Sequence, residues 1–176
     1  KKYLYEDARF TNALTGIIDE NGVRYATWSY NENGQAIESY HAGHMDYVSI
    51  KYDSNARTVT NAKGKKTLYE FVSLPGVGPR IKSVSGQASE NCLADTRYMT
   101  YYGNGFAQSE TDARGSVTLY ERDLHGRVTK QTKGLRWSSS VTPGLFVLPS
   151  SFSASSDPSE VQQIETCWHS TLNQPS

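Results

Sequence analysis

The sequence predicts an all-β protein that is built as an array of β-hairpins. First, a short phrase recurs along the chain: an acidic or amide residue, two variable residues and a glycine. Second, short runs in which aromatic or β-branched residues alternate with polar residues separate these phrases. Turn signals at regular spacing between alternating runs are typical of consecutive hairpins. Third, twelve tyrosines against five phenylalanines favour a sheet with one packed face and one solvated face, because tyrosine is amphipathic.

The recurrent phrase has the chemistry of a tight turn. A side-chain oxygen of Asp or Asn at the first position accepts a bond from the backbone two residues on. Glycine at the fourth position takes positive φ without a Cβ clash, and such a turn closes a hairpin with a bulge. The phrase is intact at 19–22, 31–34, 61–64, 112–115 and 123–126. We therefore expect positive φ at these five glycines, and a different turn where Ala56 replaces the glycine at 53–56.

The runs between the turns predict the strands. Residues 25–30 carry Ala, Trp and Tyr at even positions, and residues 47–52 carry Val, Ile and Tyr at even positions. Alternation with a period of two is the signature of half-buried strands. Residues 67–71 and 116–120 fit the same template, whereas the pattern is less regular over 72–98.

Composition divides the chain into three segments. Residues 1–133 hold the hairpin repeats, residues 134–160 form a loop or insertion rich in serine and proline, and residues 161–176 start a further repeat. Residues 157–168 fit two structures, because an Asp-Pro-Ser-Glu start is typical of a helix and the alternation at 164–168 is typical of a strand. We favour the strand, since the rest of the chain is β.

Charge and composition exclude several classes of protein. The formal net charge is zero, and no basic stripe marks a nucleic-acid groove. No apolar stretch approaches the roughly 20 residues that span a bilayer. Both ends look cut, so we expect a fragment of a larger protein. Cys92 and Cys167 are the only cysteines, and two cysteines leave their pairing open.

The sequence predicts no catalytic, cofactor-binding or metal-binding residues. His41, His44 and Asp46 lie close together in the sequence, but strand geometry would separate the two imidazoles and no further ligand is evident. We interpret them as a turn, and we expect His125 to be exposed in its own turn. The turn acids lack the spacing and the closing glutamate of a calcium loop. No Gly-x-Ser-x-Gly elbow and no phosphate-binding glycine loop occurs.

The aromatic residues of the first strands support an alternative function. They could form a platform on which sugars stack, which would make the chain a surface module that binds carbohydrate or a neighbouring cell. Aromatic residues in strands more often simply pack, so this interpretation stands second. The residues concerned are Tyr25, Trp28, Tyr30, Tyr40 and Tyr47.

The repeated units resemble the Rhs/YD-repeat family. That family's unit is an aromatic residue, Tyr-Asp, two variable residues, glycine and an aliphatic residue before the next strand. Tyr52-Asp53 keeps the literal pair, and residues 14–25, 30–36 and 101–105 follow the same pattern, as does the short stretch 166–175. Few units keep the Tyr-Asp pair. The family's self-cleaving aspartates have no match in this chain, so autoproteolysis is not expected.

The resemblance implies a fold and a role. Rhs and related toxin-complex proteins coil β-hairpin ribbons into a hollow shell around a C-terminal toxin. The chain is accordingly expected to form part of a curved or spiral β-sheet shell, as a non-enzymatic segment of a secreted or surface-delivered bacterial polymorphic toxin. Its partners would be the remainder of the shell, the enclosed toxin and the delivery machinery, whereas glycan would be the ligand under the alternative function. No cofactor and no nucleic acid is implied, and the isolated segment is expected to self-associate through its exposed strand edges.

Overall fold

The computed structural model describes residues 1–88, 94–137, 152–154, 161–168 and 175. These residues hold fourteen strands and one short 3₁₀ turn, at Ala42–His44. The predicted all-β class is therefore confirmed. The strands are β1 (Lys2–Leu4), β2 (Gly16–Ile18), β3 (Arg24–Tyr30), β4 (Ala36–His41), β5 (Met45–Tyr52), β6 (Ala56–Thr60), β7 (Lys66–Leu74), β8 (Gly78–Gly86), β9 (Thr96–Tyr101), β10 (Ala107–Thr111), β11 (Val117–Arg122), β12 (Val128–Trp137), β13 (Phe152–Ala154) and β14 (Gln162–Glu165).

The chain divides into two compact units, Lys1–Tyr69 and Glu70–Ser176, and the division falls within β7. In the first unit the strands are neighbours in chain order, and the pairs from β1 to β6 are antiparallel. In the second unit the order again follows the chain as far as β13, and β14 also pairs with β12. As far as β13, each strand thus pairs with its sequence neighbours, as consecutive hairpins do.

All five intact turn phrases fold as the sequence predicts. In each, the glycine N–H donates to the carbonyl of the first residue over 2.9–3.2 Å, which closes the turn. The N–H of the first residue donates to the carbonyl of the residue that follows the glycine. The Oδ1 atom of the same Asp or Asn accepts two backbone N–H groups, from two and four residues further on. One side chain therefore satisfies two donors in each turn and sets where the hairpin reverses.

The backbone at these turns also agrees with the prediction. Their five glycines have φ between 73° and 81°, in the left-handed region that suits glycine. Gly105, in the degenerate phrase, has φ 84°. Ala56 instead begins β6, and the turn before it closes with a bond of 2.9 Å from the Asp53 N–H to the Ala56 carbonyl.

The buried side chains are more polar than apolar. Among the described residues the buried hydrophobic side chains are Ala26, Leu74, Tyr101 and Val117, and the buried polar side chains are Thr15, Ser83, Thr100, Gln108, Ser109, Thr111 and Thr132. In the second unit, Thr100 Oγ1 lies 2.7 Å from Ser109 Oγ and 3.2 Å from Gln108 Oε1. These hydrogen bonds offset the cost of removing hydroxyl and amide groups from water.

Of the segment 134–160, predicted as a loop or insertion, the structure describes residues 134–137 and 152–154, and both stretches lie in strands. β12 continues to Trp137, and β13 pairs with it. Gly134 has φ 78°, and the register of β12 against β11 shifts nearby, between Val117 and Leu119. A bulge of this kind interrupts the alternation of side chains without ending the strand. Residues 138–151 and 155–160 lie outside the described residues.

Of the segment 157–168, for which the sequence fits two structures, the structure describes residues 161–168, and these contain a strand as predicted. β14 covers Gln162–Glu165 and pairs with β12, and an isolated bridge joins Trp168 to Pro175. Cys167 is exposed. Cys92 lies outside the described residues, so the pairing of the two cysteines stays open. No helix in the described part of the chain is long and apolar enough to cross a membrane.

Candidate functional site

Aromatic and imidazole side chains gather where β4 leads into β5. The pairing of β4 with β5 brings the ring centroids of Tyr40 and Tyr47 to 6.3 Å from each other. Ala26 of β3 lies opposite His41 of β4, and the ring of the neighbouring Tyr25 contacts the His41 ring. We call the following side chains the aromatic cluster: Tyr25, Tyr40, His41, His44 and Tyr47.

The rings of the cluster form two groups of contacts, one of Tyr40, His44 and Tyr47 and one of Tyr25 and His41. His44 lies between two tyrosine rings, with its centroid 4.2 Å from that of Tyr40 and 4.9 Å from that of Tyr47. Both contacts are close to perpendicular, at 63° and 82°. The His41 ring lies 4.9 Å from the Tyr25 ring at 40°. Tilted and edge-on contacts at these distances stabilise aromatic pairs.

The backbone at this turn is left-handed at three of four positions. Gly43 has φ 68°, His44 has φ 64° and Asp46 has φ 53°. His44 and Asp46 are the non-glycine residues with positive φ among those that the structure describes. Each such residue costs on the order of 1–3 kcal/mol, and residues of this kind concentrate at binding sites and switches. The ring contacts of His44 offset part of that cost.

Polar partners surround the rings. His41 Nδ1 lies 3.2 Å from Asp46 Oδ2. Glu38 accepts hydrogen bonds from the Tyr47 hydroxyl at 2.9 Å and from Ser29 Oγ at 3.2 Å. The cluster therefore combines aromatic faces with carboxylates whose positions are set by neighbouring side chains.

A cleft of 480 Å³ opens beside the cluster, lined by Arg24, Thr27, Tyr40, His41, Ala42 and Gly43. The Arg24 guanidinium donates at 2.9 Å to Thr27 Oγ1, to the Thr15 carbonyl and to a Glu6 carboxylate oxygen. The hydrogen bond from Arg24 lowers the pKa of Glu6, so Glu6 is ionised at neutral pH and the charge of Arg24 is paired. The cleft consequently carries little net charge.

The structure brings two of the five aromatic residues of the predicted platform together, since the ring centroids of Tyr40 and Tyr47 lie 6.3 Å apart. Tyr25 contacts His41. Trp28 and Tyr30 instead line a different cleft, with the loop that follows β1, because they lie at alternate positions of β3. The Tyr30 hydroxyl donates to the Leu14 carbonyl at 2.7 Å, so Tyr30 packs against its neighbouring strand. The predicted single platform is therefore wrong for these two residues.

The histidines occupy the kinds of position that the sequence predicts. His41 ends β4 and His44 lies in the turn, while His125 is exposed in its own turn. Within the described ranges, no group of three or more His, Cys, Asp and Glu side chains lies close enough to hold a metal ion. His169 lies outside those ranges.

Sequence reasoning missed three contributors to this site. Arg24, Glu6 and Thr27 come from β3 and from the loop after β1, and no motif marks them. The turn at His41–Asp46 was predicted, but its left-handed backbone was not, because it lacks the glycine phrase of the other hairpins. The one signal in the sequence was the density of Tyr and His between positions 40 and 47.

A second recurrent feature ties the hairpins together. The tyrosine that precedes a turn donates its hydroxyl to a backbone carbonyl that lies in the preceding strand or just before it. The bonds run from Tyr30 to Leu14 at 2.7 Å, from Tyr52 to Ala36 at 2.8 Å and from Tyr101 to Ile81 at 2.6 Å. Burial raises the pKa of Tyr101, so its hydroxyl remains a donor at neutral pH. The aromatic residue before the turn thus has a structural role in the repeat.

One segment in which the turn phrase and the preceding tyrosine recur also matches a known protein family. Residues 101–136 match the family described as RHS Repeat. This segment is an Rhs repeat. The match runs from the last residue of β9 almost to the end of β12 and includes three turns, at 102–105, 112–115 and 123–126. The resemblance to the Rhs/YD-repeat family is thereby confirmed, and no curated protein matches the chain.

Proposed function

We propose that the chain is a non-enzymatic structural segment of an Rhs-type β-shell, which encloses a C-terminal toxin for delivery to competing or host cells. The observation that carries the proposal is the hairpin array in chain order, with the Rhs repeat at 101–136. A sheet of this kind lengthens by adding hairpins, and each hairpin is too small to be stable alone. A sheet that lengthens by repeating one hairpin unit is better suited to the wall of a container than to an enzyme.

The small apolar core supports the same role. Only four hydrophobic side chains are buried in the described part of the chain, whereas a self-contained domain buries most of its apolar surface. A wall segment gains its remaining stability from neighbouring segments. The proposed partners are accordingly the remainder of the shell, the enclosed toxin and the machinery that delivers them, and the proposed location is secreted or at the bacterial cell surface.

The free edge of β1 provides the test of this proposal. β1 is the first strand of the sheet order and pairs with β2. The Leu4 carbonyl accepts a bond from the Thr15 N–H at 2.8 Å, so the polar groups of Leu4 face β2. Because successive residues of a strand direct N–H and C=O to opposite sides, those of Tyr3 face away from β2. In a shell this edge would receive the strand of another segment, and in the isolated chain it is a template for pairing.

We expect the isolated chain to self-associate as its concentration rises, with Tyr3→Pro weakening that association. Proline removes the outward N–H of Tyr3 and is tolerated in edge strands. Tyr3→Ala is the matched control, because it removes the ring, which is 57% exposed, but keeps the N–H. Sedimentation velocity over a concentration series measures both effects. A strictly monomeric wild type, or equal association of the wild type and Tyr3→Pro, would contradict the edge-pairing account.

A further inference from the structure

We infer that Asn21 is a site of spontaneous deamidation, at which the folded chain acquires an isoaspartyl or aspartyl residue. The chain contains three Asn-Gly pairs, at 21–22, 33–34 and 104–105. Each pair fills the last two positions of a hairpin turn, and the three glycines have φ of 78°, 74° and 84°. Glycine is the residue that most favours this reaction on its amino side, because it has no Cβ to hinder its own nitrogen. The inference does not depend on the shell role.

The reaction needs only water as a co-reactant. The glycine nitrogen loses its proton to hydroxide and attacks the side-chain Cγ of the asparagine. An N–Cγ bond forms, the bond from Cγ to the amide nitrogen breaks, and ammonia leaves with a proton taken from water. Water then opens either carbonyl of the succinimide ring, which gives aspartate or isoaspartate. Because the nitrogen can attack only after its N–H is released from the turn, local opening of the folded chain sets the rate at each pair.

The pair at 21–22 is the least protected of the three. Both residues are exposed, and no described atom lies within 4 Å of the position that a Cβ on Gly22 would occupy. The Gly22 N–H donates to the Asp19 carbonyl at 3.2 Å, which is the longest of the equivalent bonds in the three turns. Hydroxide can therefore reach this nitrogen, and the bond that must open is the weakest of the three.

The other two pairs are covered by side chains. The Phe10 ring lies 3.2 Å from the position that a Cβ on Gly34 would occupy, so the ring shields the backbone there. At the third pair, Asn104 Oδ1 accepts a backbone N–H at 3.2 Å, and Arg80 Nε donates to the Gly105 carbonyl at 3.3 Å. The Gly105 N–H also makes the shortest of the three turn bonds, at 2.8 Å. The groups that would have to rearrange for attack are thus held in place.

Deamidation at this site changes the turn between β2 and β3. Asp19 Oδ1 accepts the N–H groups of Asn21 and Val23, each at 2.9 Å. An isoaspartyl link adds one methylene to the main chain between these two donors, which moves one of them away from the shared oxygen. Both products also place a new carboxylate beside Asp19 and Glu20, where like charges repel. The modified turn is consequently weaker, and its isoaspartyl form is a substrate for a carboxyl methyltransferase that uses S-adenosylmethionine.

The test incubates the full chain at neutral pH and follows each Asn-Gly pair by peptide mapping with mass spectrometry. Methyl transfer from S-adenosylmethionine by an isoaspartyl methyltransferase identifies the isoaspartyl product. We expect Asn21 to react about fivefold or more faster than Asn104, because one further hydrogen bond lowers the opened population by about that factor. Asn33 should fall between them. In urea the three pairs should react at similar rates, because the fold no longer distinguishes them.

Two variants test the cause of the order. Phe10→Ala uncovers the backbone at Gly34, so Asn33 should react faster, while Asn21 keeps its rate and serves as the internal reference. Asn21→Gln is the matched control for the product, because it keeps the amide but requires a larger ring for the attack. This variant should lose the early methyl transfer and keep the slower reactions at the other two pairs.

Several results would overturn the inference. They are reaction of Asn33 or Asn104 as fast as that of Asn21 in the folded chain, the same order of rates in urea, and no loss of Asn21 while the unfolded chain reacts. An unchanged rate at Asn33 in Phe10→Ala would refute shielding by the ring. If Phe10→Ala does not give the wild-type circular dichroism spectrum, the comparison of the folded with the unfolded wild type decides the matter.

Discussion

Gly126→Ala is expected to destabilise the second unit substantially more than Gly115→Ala. Both glycines occupy the fourth position of the same turn phrase, with φ 81° and 77°. An alanine in the left-handed region costs on the order of 1–2 kcal/mol at either position. A Cβ at 126 would also overlap the Phe106 ring, whereas a Cβ at 115 would meet no atom within 4 Å.

The added cost at 126 arises because Phe106 is held by its neighbours. The Arg122 guanidinium lies 5.4 Å from the centre of the Phe106 ring and also donates to the Gly126 carbonyl at 2.8 Å. Displacing the ring would disturb both contacts, so we expect a further loss of about 1–3 kcal/mol. Urea unfolding of both variants measures the difference. Repeating the pair in a Phe106→Ala background should remove the excess, and equal losses in the native background would show that the ring yields freely.

Thr100→Val is the other change from which we expect a large effect, although it conserves shape. Thr100 and Ser109 are fully buried, and Gln108 is 1% exposed. Valine would deprive the Ser109 hydroxyl and the Gln108 carbonyl oxygen of the Thr100 hydroxyl, where water cannot readily replace it. A buried polar group that loses a partner costs about 1–3 kcal/mol.

Thr96→Val provides the matched control on the same strand. The Thr96 hydroxyl donates to Ser85 Oγ at 3.2 Å but is only partly buried, so water can substitute and the loss should stay within about 0.5 kcal/mol. Chemical unfolding followed by circular dichroism compares the two variants. A neutral or stabilising Thr100→Val would mean that the buried polar network of the second unit contributes nothing to stability.

The turns were predictable because their chemistry is local. An Asp or Asn and a glycine three residues later are enough to form most of each hairpin turn. The two backbone N–H groups that donate to Asp112 Oδ1, and the two that donate to Asp123 Oδ1, show this. Strand alternation likewise predicted β3 and β5 closely. Both signals operate over a few residues and do not depend on the rest of the fold.

The features that sequence did not predict depend on contacts between distant residues. The extension of β12 beyond Gly134 requires a bulge against β11, and a serine-rich composition conceals it. The ion pair between Arg24 and Glu6 depends on the placement of the loop after β1 against β3. The ring contacts of the aromatic cluster depend on the pairing of β4 with β5 and on the position of Ala26 opposite His41. Register is a relation between strands, so a single strand's pattern could not reveal which aromatic residues would meet.

Electron cryomicroscopy of the longest natural polypeptide that contains residues 1–176 tests the shell proposal most directly. The account predicts that another segment pairs with the outward edge of β1 at Tyr3 and that the hairpin array forms part of a wall around a lumen. Density for a separate polypeptide segment should lie within that lumen. A self-contained domain whose β1 edge faces solvent, with no enclosed segment, would contradict the account.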